Sequence, residues 1–183
     1  IINKNFKKVD FDSIEILNLF FKYEGAKKDT LNNINLKINK GESIGIIGAS
    51  GSGKTTLIDV LLGLLSPNKG IISFNGNDLN PQLDSWQSHI AYLPQQIFII
   101  DDTLRKNIAL GVESNNIDDD KVIAAITKAS LQDFLEELPL ALDTVLGERG
   151  IRISGGQRQR VALARAFYHD RDVLFMDEST SRS

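Results

Sequence analysis

Gly48-Ala49-Ser50-Gly51-Ser52-Gly53-Lys54-Thr55 lies between two apolar stretches, Ser43 to Ile47 before it and Thr55 to Leu65 after it. Its spacing, G-x-x-x-x-G-K-[ST], is that of a phosphate-binding loop. Glycines let the backbone curl until several N–H groups face one anion, and the helix that follows adds its positive end. Lys54 neutralises β- and γ-phosphate charge, and Thr55 offers a hydroxyl to Mg²⁺. The run before the loop reads as a compact strand; the run after it reads as a helix stopped by Ser66-Pro67, because proline disfavours helix at the preceding residue. A Gly/Ser linker is the other reading of this composition, and the strand and helix on its flanks argue against it.

Working outward, short β-branched and aromatic runs at Ile14 to Leu17, Phe20 to Tyr23 and Ile34 to Ile38 are separated by polar turns and predict an antiparallel β layer. Ile71 to Phe74, closed by the turn dipeptide Asn75-Gly76, and Ile90 to Leu93 predict further strands. From Asp101 to Ile153 the pattern turns helical, with Asp118 as an N-cap and Ser130 capping Leu131 to Leu138. Val173-Leu174-Phe175-Met176 is an unbroken apolar run that suits a strand buried on both faces, so the expected class is α/β with a parallel centre. Asp177 and Glu178 end that run at the carboxyl edge, where ligands of open α/β sheets collect. There Asp177 would hold Mg²⁺ and Glu178 would polarise an attacking water as general base. Taken alone, the pair reads equally well as a solvated strand end.

Composition narrows the alternatives. At 183 residues, the chain is long enough for one domain that buries about two thirds of its unfolded surface. A net charge of -3 argues against a nucleic-acid face, which calls for a basic patch. The absence of cysteine excludes disulfides and thiolate metal sites. Val60 to Leu65, broken by Gly63, falls far short of the roughly 20 apolar residues of a spanning helix, so no direct membrane insertion is expected. Lys4, Lys7 and Lys8 are followed by no apolar stretch that would make a secretory signal.

A second glycine turn, Ile153-Ser154-Gly155-Gly156-Gln157, opens Arg158-Gln159-Arg160-Val161-Ala162-Leu163-Ala164-Arg165-Ala166. Small residues and exposed N–H groups at a helix start repeat the physics of the first loop; an ordinary Ser-capped turn is the competing reading. With the phosphate loop upstream, this stretch resembles the signature of ATP-binding-cassette (ABC) ATPases, with Ile153 where Leu is usual. The resemblance runs from about Phe11 to Ser181. It implies a P-loop NTPase with a RecA-like parallel core sheet, an N-terminal antiparallel β subdomain and a helical signature subdomain at 101–153. Residues 1–10 would be a linker or the remnant of a preceding membrane domain, and 11–183 the ATP-binding domain.

The resemblance also implies cofactors and roles. ATP and Mg²⁺ would be bound by Tyr23, stacking on adenine, and by Gly48, Ser50, Gly51, Ser52, Gly53, Lys54, Thr55 and Thr56. Ser154, Gly155, Gly156 and Gln157 would face the γ-phosphate held by a second nucleotide-binding domain, in a head-to-tail pair. Gln95, in Ala91-Tyr92-Leu93-Pro94-Gln95, would join Thr55 and Asp177 at the metal and link the site to a membrane domain. Catalysis would fall to Glu178, Lys54 and Gln95. Thr144-Val145-Leu146-Gly147-Glu148-Arg149-Gly150 resembles the segment that precedes the signature in export-type transporters, with Glu148 near the partner's intracellular helices. The partners implied are that second domain and an exporter's transmembrane domain, with no nucleic acid, at the cytoplasmic face of the cell membrane.

The pattern departs from the family at the end of the chain. Ser179-Thr180-Ser181 fits it and Arg182-Ser183 does not, while His89 and His169 both precede Glu178, so neither stands where a switch histidine belongs. The expectation is a fragment lacking its final core strands, beginning at Ile1 inside a longer polypeptide, with very low ATP turnover of its own. Two other functions stay open: a soluble ABC-type ATPase acting on nucleic acid or ribosomes, and a catalytically dead nucleotide-binding fragment.

Overall fold

The computed structural model describes residues 9–148 and 150–177, and the chain divides after Ile90 into two compact units. In the first, β1 (Ser13–Phe21), β2 (Leu31–Asn39), β3 (Lys69–Phe74) and β4 (Asn77–Asp78) form an antiparallel sheet in the order β2-β1-β3-β4. Ile14 to Leu17 and the Phe20-Phe21 part of the second expected run belong to the single strand β1, and Lys22 and Tyr23 lie beyond its end. Its pairing shifts between Ile16 and Leu19, where Asn18 adopts φ 48°. One extra residue reverses which positions face inward. Ile14 and Ile16 are therefore buried before the irregularity, and Leu19 and Phe21 after it.

The Asn75-Gly76 turn forms as expected. Both residues take positive φ, 50° and 77°, the geometry of a two-residue hairpin turn whose twist matches its strands. The Asn75 side chain accepts hydrogen bonds from the backbone N–H groups of Asp12 (2.9 Å) and Ser13 (3.1 Å), which ties this turn to the start of β1.

Helix α1 (Lys54–Leu61) follows the phosphate loop and is shorter than the Thr55 to Leu65 expected. It ends because Gly63 turns left-handed at φ 73°, and the N–H groups of Gly63 and Leu64 donate back to the carbonyls of Val60 (3.0 Å) and Asp59 (2.9 Å). This glycine C-cap acts before Pro67 is reached. Helix α2 (Leu83–His89) lies against the end of α1: buried Trp86 donates its indole N–H to the Leu61 carbonyl at 2.6 Å. Trp86 also packs with Phe11 and Phe74, whose rings in turn meet His89, with Phe74 and Trp86 ring centroids 5.6 Å apart.

Ser43 to Ile47 does not form the strand expected of it: Ile44, Ile46 and Ile47 are exposed and no described strand pairs with the segment. A parallel strand is held by its neighbours' hydrogen bonds, and apolar composition alone does not supply them.

The second unit contains β5 (Ile90–Leu93, opening at the boundary), α3 (Leu104–Ile108), α4 (Asp119–Lys128), α5 (Gln132–Glu137), α6 (Gly155–Tyr168) and β6 (Val173–Met176). β5 and β6 pair, and the Asp177 N–H donates to the Leu93 carbonyl at 3.0 Å, so the strands run parallel and finish side by side. β6 is not buried on both faces, since Met176 is exposed. Leu104, Ile108, Val122, Ile126, Leu131, Leu146, Val161 and Ala164 form the core of the helical part.

Asp118 caps α4 as expected, its carboxylate accepting from the Lys121 N–H at 3.1 Å. Ser130 does not cap α5. It sits at φ 55° just beyond α4, where the Ser130 N–H donates to Thr127 (3.1 Å) and the Leu131 N–H to Ile126 (3.0 Å). These paired bonds close α4 and hold Ser130 in a left-handed geometry, leaving Leu131 at the N-cap of α5.

Candidate functional site

The phosphate loop brings donors and positive charge to one place. Gly53 is the N-cap of α1 at φ 91°, no side chain caps the helix, and its first turn has no acidic residue. The first N–H groups of a helix lack intrahelical acceptors, so those of α1 are left for a ligand. The curl needs its glycine at Gly53, where a Cβ would lie 2.9 Å from the Thr30 carbonyl oxygen; a Cβ at Gly48 would meet the Ser52 hydroxyl, which can rotate aside. Lys54 folds back over the loop and donates from Nζ to the carbonyls of Gly48 (2.8 Å) and Ala49 (2.9 Å). Ser50, Ser52 and Thr55 are exposed, whereas Thr56 is buried.

Tyr23 joins this group. Its hydroxyl and Thr56 Oγ1 are hydrogen-bonded at 3.1 Å, and Phe21 meets its ring edge-on at 4.9 Å between centroids.

In the second unit, Ser154 is the N-cap of α6. Its Oγ accepts from the Gln157 N–H at 3.2 Å, and Gln157 Oε1 accepts from the Ser154 N–H at 2.7 Å. This reciprocal box fixes the turn that leaves Gly155 and Gly156 exposed at the helix start. Gln95 and Gly155 line one open cavity of about 500 Å³, together with Gln96, Ile97, Arg158 and Gln159. Asp177 is placed beside Leu93, two residues before Gln95, by the β5–β6 pairing. The structure thus gathers Gln95, Asp177 and the signature turn in the second unit, while Tyr23 and the Gly48–Thr56 stretch belong to the first. Glu178 lies outside the described residues.

The Thr144–Gly150 segment is tied to the start of α3. Val145 bridges Thr103, Leu146 donates its N–H to Asp102 (2.9 Å), and Glu148 donates its N–H to Asp101 Oδ1 (2.6 Å). Arg149 is outside the described residues.

Two residues that sequence reasoning passed over organise this unit. Arg165, on α6, donates from Nε to the Asn107 carbonyl (2.6 Å), from Nη1 to the Phe98 carbonyl (2.8 Å) and from Nη2 to Asn107 Oδ1 (3.1 Å). Fully buried Asn107 donates from Nδ2 to the carbonyls of Ile100, Asp102 and Thr103. Burial pushes the Arg165 pKa down from the usual guanidinium value. The available signal was its position: Arg165 is four residues after Val161, on the apolar stripe of α6, where a charge requires a partner.

Residues 31–181 match the ABC transporter family. The chain belongs to the ABC transporter family. This ABC chain is 41% identical over 160 residues to an ATP-dependent lipid A-core flippase of Thiobacillus denitrificans (strain ATCC 25259 / T1), covering 87% of the chain and 28% of the flippase. It is 38% identical over 169 residues to ABC transporter BEA3 of Gibberella fujikuroi (strain CBS 195.34 / IMI 58289 / NRRL A-6831), covering 92% of the chain and 13% of that protein. A solved structure of a bacterial Atm1-family ABC exporter with ATP bound is similar over the whole chain and 32% of its own, with a TM-score of 0.81 and 31% identity. The chain therefore spans less than a third of the length of these two curated relatives. The export-type resemblance read from Thr144 to Gly150 agrees with these similarities.

The residues suit ATP. An uncapped helix start, glycine-only curvature and a lysine over the loop accommodate a triphosphate. Among the described residues no group of three or more His, Asp or Glu side chains could hold a metal by itself.

Proposed function

We propose that this chain is the nucleotide-binding domain of an ABC exporter, binding ATP with Mg²⁺ and hydrolysing it to ADP and phosphate to drive export. The observation that carries the reading is the convergence of the Lys54 ammonium with the uncapped start of α1 over the Gly48–Thr55 curl. In this reading Lys54 exchanges its two carbonyl acceptors for β- and γ-phosphate oxygens, so the charge is already positioned before nucleotide arrives. Thr55, Asp177 and Gln95 are the residues that would hold Mg²⁺, and that ion would supply charge neutralisation to the nucleotide's phosphates. Glu178 accepts a proton from the attacking water. Gly155 and Gly156 present N–H groups to the γ-phosphate on a second copy or homologous domain, giving a head-to-tail pair. The site works at the cytoplasmic face of a membrane, beside a transmembrane domain; no described helix is itself long and apolar enough to cross a bilayer.

The test is phosphate release and light scattering on the full-length protein. Lys54→Ala should abolish ATP binding, and Glu178→Gln should retain binding, lower turnover about a hundredfold or more and double in mass with ATP. Turnover in Lys54→Ala equal to that of the unmutated protein would refute the proposal.

A further inference from the structure

We infer that Arg158 is a positioning residue for the turn Ser154-Gly155-Gly156: it holds the peptide plane that opens the turn, so that the glycine N–H groups are already aimed when a γ-phosphate arrives on a second domain. The inference rests on the head-to-tail reading above and gives the turn a restraint from outside the four residues assigned to that phosphate.

The peptide plane between Ile153 and Ser154 carries one acceptor and one donor, and side chains from the first turn of α6 take both. Gln157 Oε1 accepts from the Ser154 N–H at 2.7 Å, and Arg158 Nη1 donates to the Ile153 carbonyl at 2.8 Å. Arg158 holds the next carbonyl as well, its backbone N–H donating to Ser154 at 2.9 Å. A peptide unit is a rigid plane, so bonds at its C=O and its N–H together stop it from rotating. That rotation is the freedom that would swing the turn that follows. Ile153 itself is buried in the core of the helical part, so packing fixes the residue while hydrogen bonds fix the plane.

The glycines have little to hold them otherwise. Among the described residues, a Cβ at Gly156 would meet nothing within 4 Å, and one at Gly155 would meet Arg158 Nη2 at 3.9 Å. Glycine retains more backbone freedom than any other residue. Donors on such a turn stay aimed when the plane before them is pinned, and a preorganised turn loses less entropy on meeting its ligand. The Ile153 carbonyl asks for one donor, which a lysine ammonium can also supply.

The experiment uses the full-length protein carrying Glu178→Gln, with two measurements: ATP binding by equilibrium dialysis at low protein concentration, and the mass doubling with ATP by light scattering across a protein dilution series. Arg158→Met should leave ATP binding unchanged and raise the protein concentration needed for half-maximal doubling about tenfold. Arg158→Lys should recover most of that loss. Without ATP, hydrogen exchange in Arg158→Met should quicken at Gly155 and Gly156 and stay slow at Val161 and Ala164. Arg158 is exposed, so neither variant removes a core residue. Unchanged association in Arg158→Met, no recovery in Arg158→Lys, a parallel fall in ATP binding, or lost protection reaching Val161 and Ala164 would each overturn the inference and leave the head-to-tail reading intact. If Glu178→Gln alone binds ATP and does not double in mass, the head-to-tail reading and the inference fall together.

Discussion

Replacing Gly53 with alanine tests whether the phosphate loop owes its curl to backbone geometry. Gly53 has φ 91°, and a Cβ there would stand 2.9 Å from the Thr30 carbonyl oxygen and 3.1 Å from Leu31 Cδ2. A left-handed conformation costs a non-glycine residue roughly 1–2 kcal/mol. The carbonyl belongs to the backbone entering β2 and can give way only by shifting the strand, which adds about 1–3 kcal/mol. Gly51 is the internal control: it has φ 77° with nothing within 4 Å of a built Cβ, so Gly51→Ala carries the conformational cost alone. Trp86, the only tryptophan in the sequence and fully buried in the same unit, gives a fluorescence signal for its unfolding. With a urea dependence of about 2 kcal/mol per molar, the Gly53→Ala midpoint should fall roughly 0.5–1.5 M below that of Gly51→Ala. Equal midpoints would show that the Thr30 contact carries no energy and that the close approach between loop and β2 is not a constraint.

Further outcomes follow from the second unit. Arg165→Lys loses the planar fork that reaches three acceptors in the 98–107 segment at once, and should cost about 2 kcal/mol, or roughly 5 °C in Tm, by far-UV circular dichroism. Ser154→Ala removes one half of the capping box and should destabilise α6 by about 1 kcal/mol, with Ser154→Asp restoring it; hydrogen exchange at the first turn of α6 reads this directly. His169 has its pKa held below the ordinary value by burial and, secondarily, by the charge of Arg171, while its Nε2 lies 3.0 Å from the Leu110 carbonyl. Since the unfolded chain takes up this proton more readily, its contribution to stability is present above the unfolded pKa near 6.5 and is lost as pH falls through the lower folded value, at up to about 1.4 kcal/mol per pH unit. Denaturation midpoints between pH 7.5 and 5 should fall accordingly, and His169→Gln should flatten the slope.

Features legible in the sequence are those whose physics closes within a few residues. The phosphate curl at Gly48 to Thr55, the Asp118 cap, the Ser154-capped turn and the Asn75-Gly76 turn each depend on side chains and φ angles within one turn of chain. Local competition between signals explains two misreadings: Gly63 ends α1 before Pro67 can, and the closing bonds of α4 claim Ser130 before it can cap α5.

Tertiary structure decided what depends on partners distant in sequence. Ser43 to Ile47 has strand composition but no described partner, so its isoleucines stay exposed. Arg165 reaches residues 58 and 67 positions away, and Thr56 meets Tyr23 33 positions away. A capping or turn residue finds its acceptor wherever the chain goes, because the acceptor is covalently nearby. A sheet neighbour, a buried guanidinium's carbonyls or a hydroxyl partner such as Thr56 for Tyr23 exists only once folding has paid the entropy of bringing distant segments together, and no local pattern encodes which segment that will be.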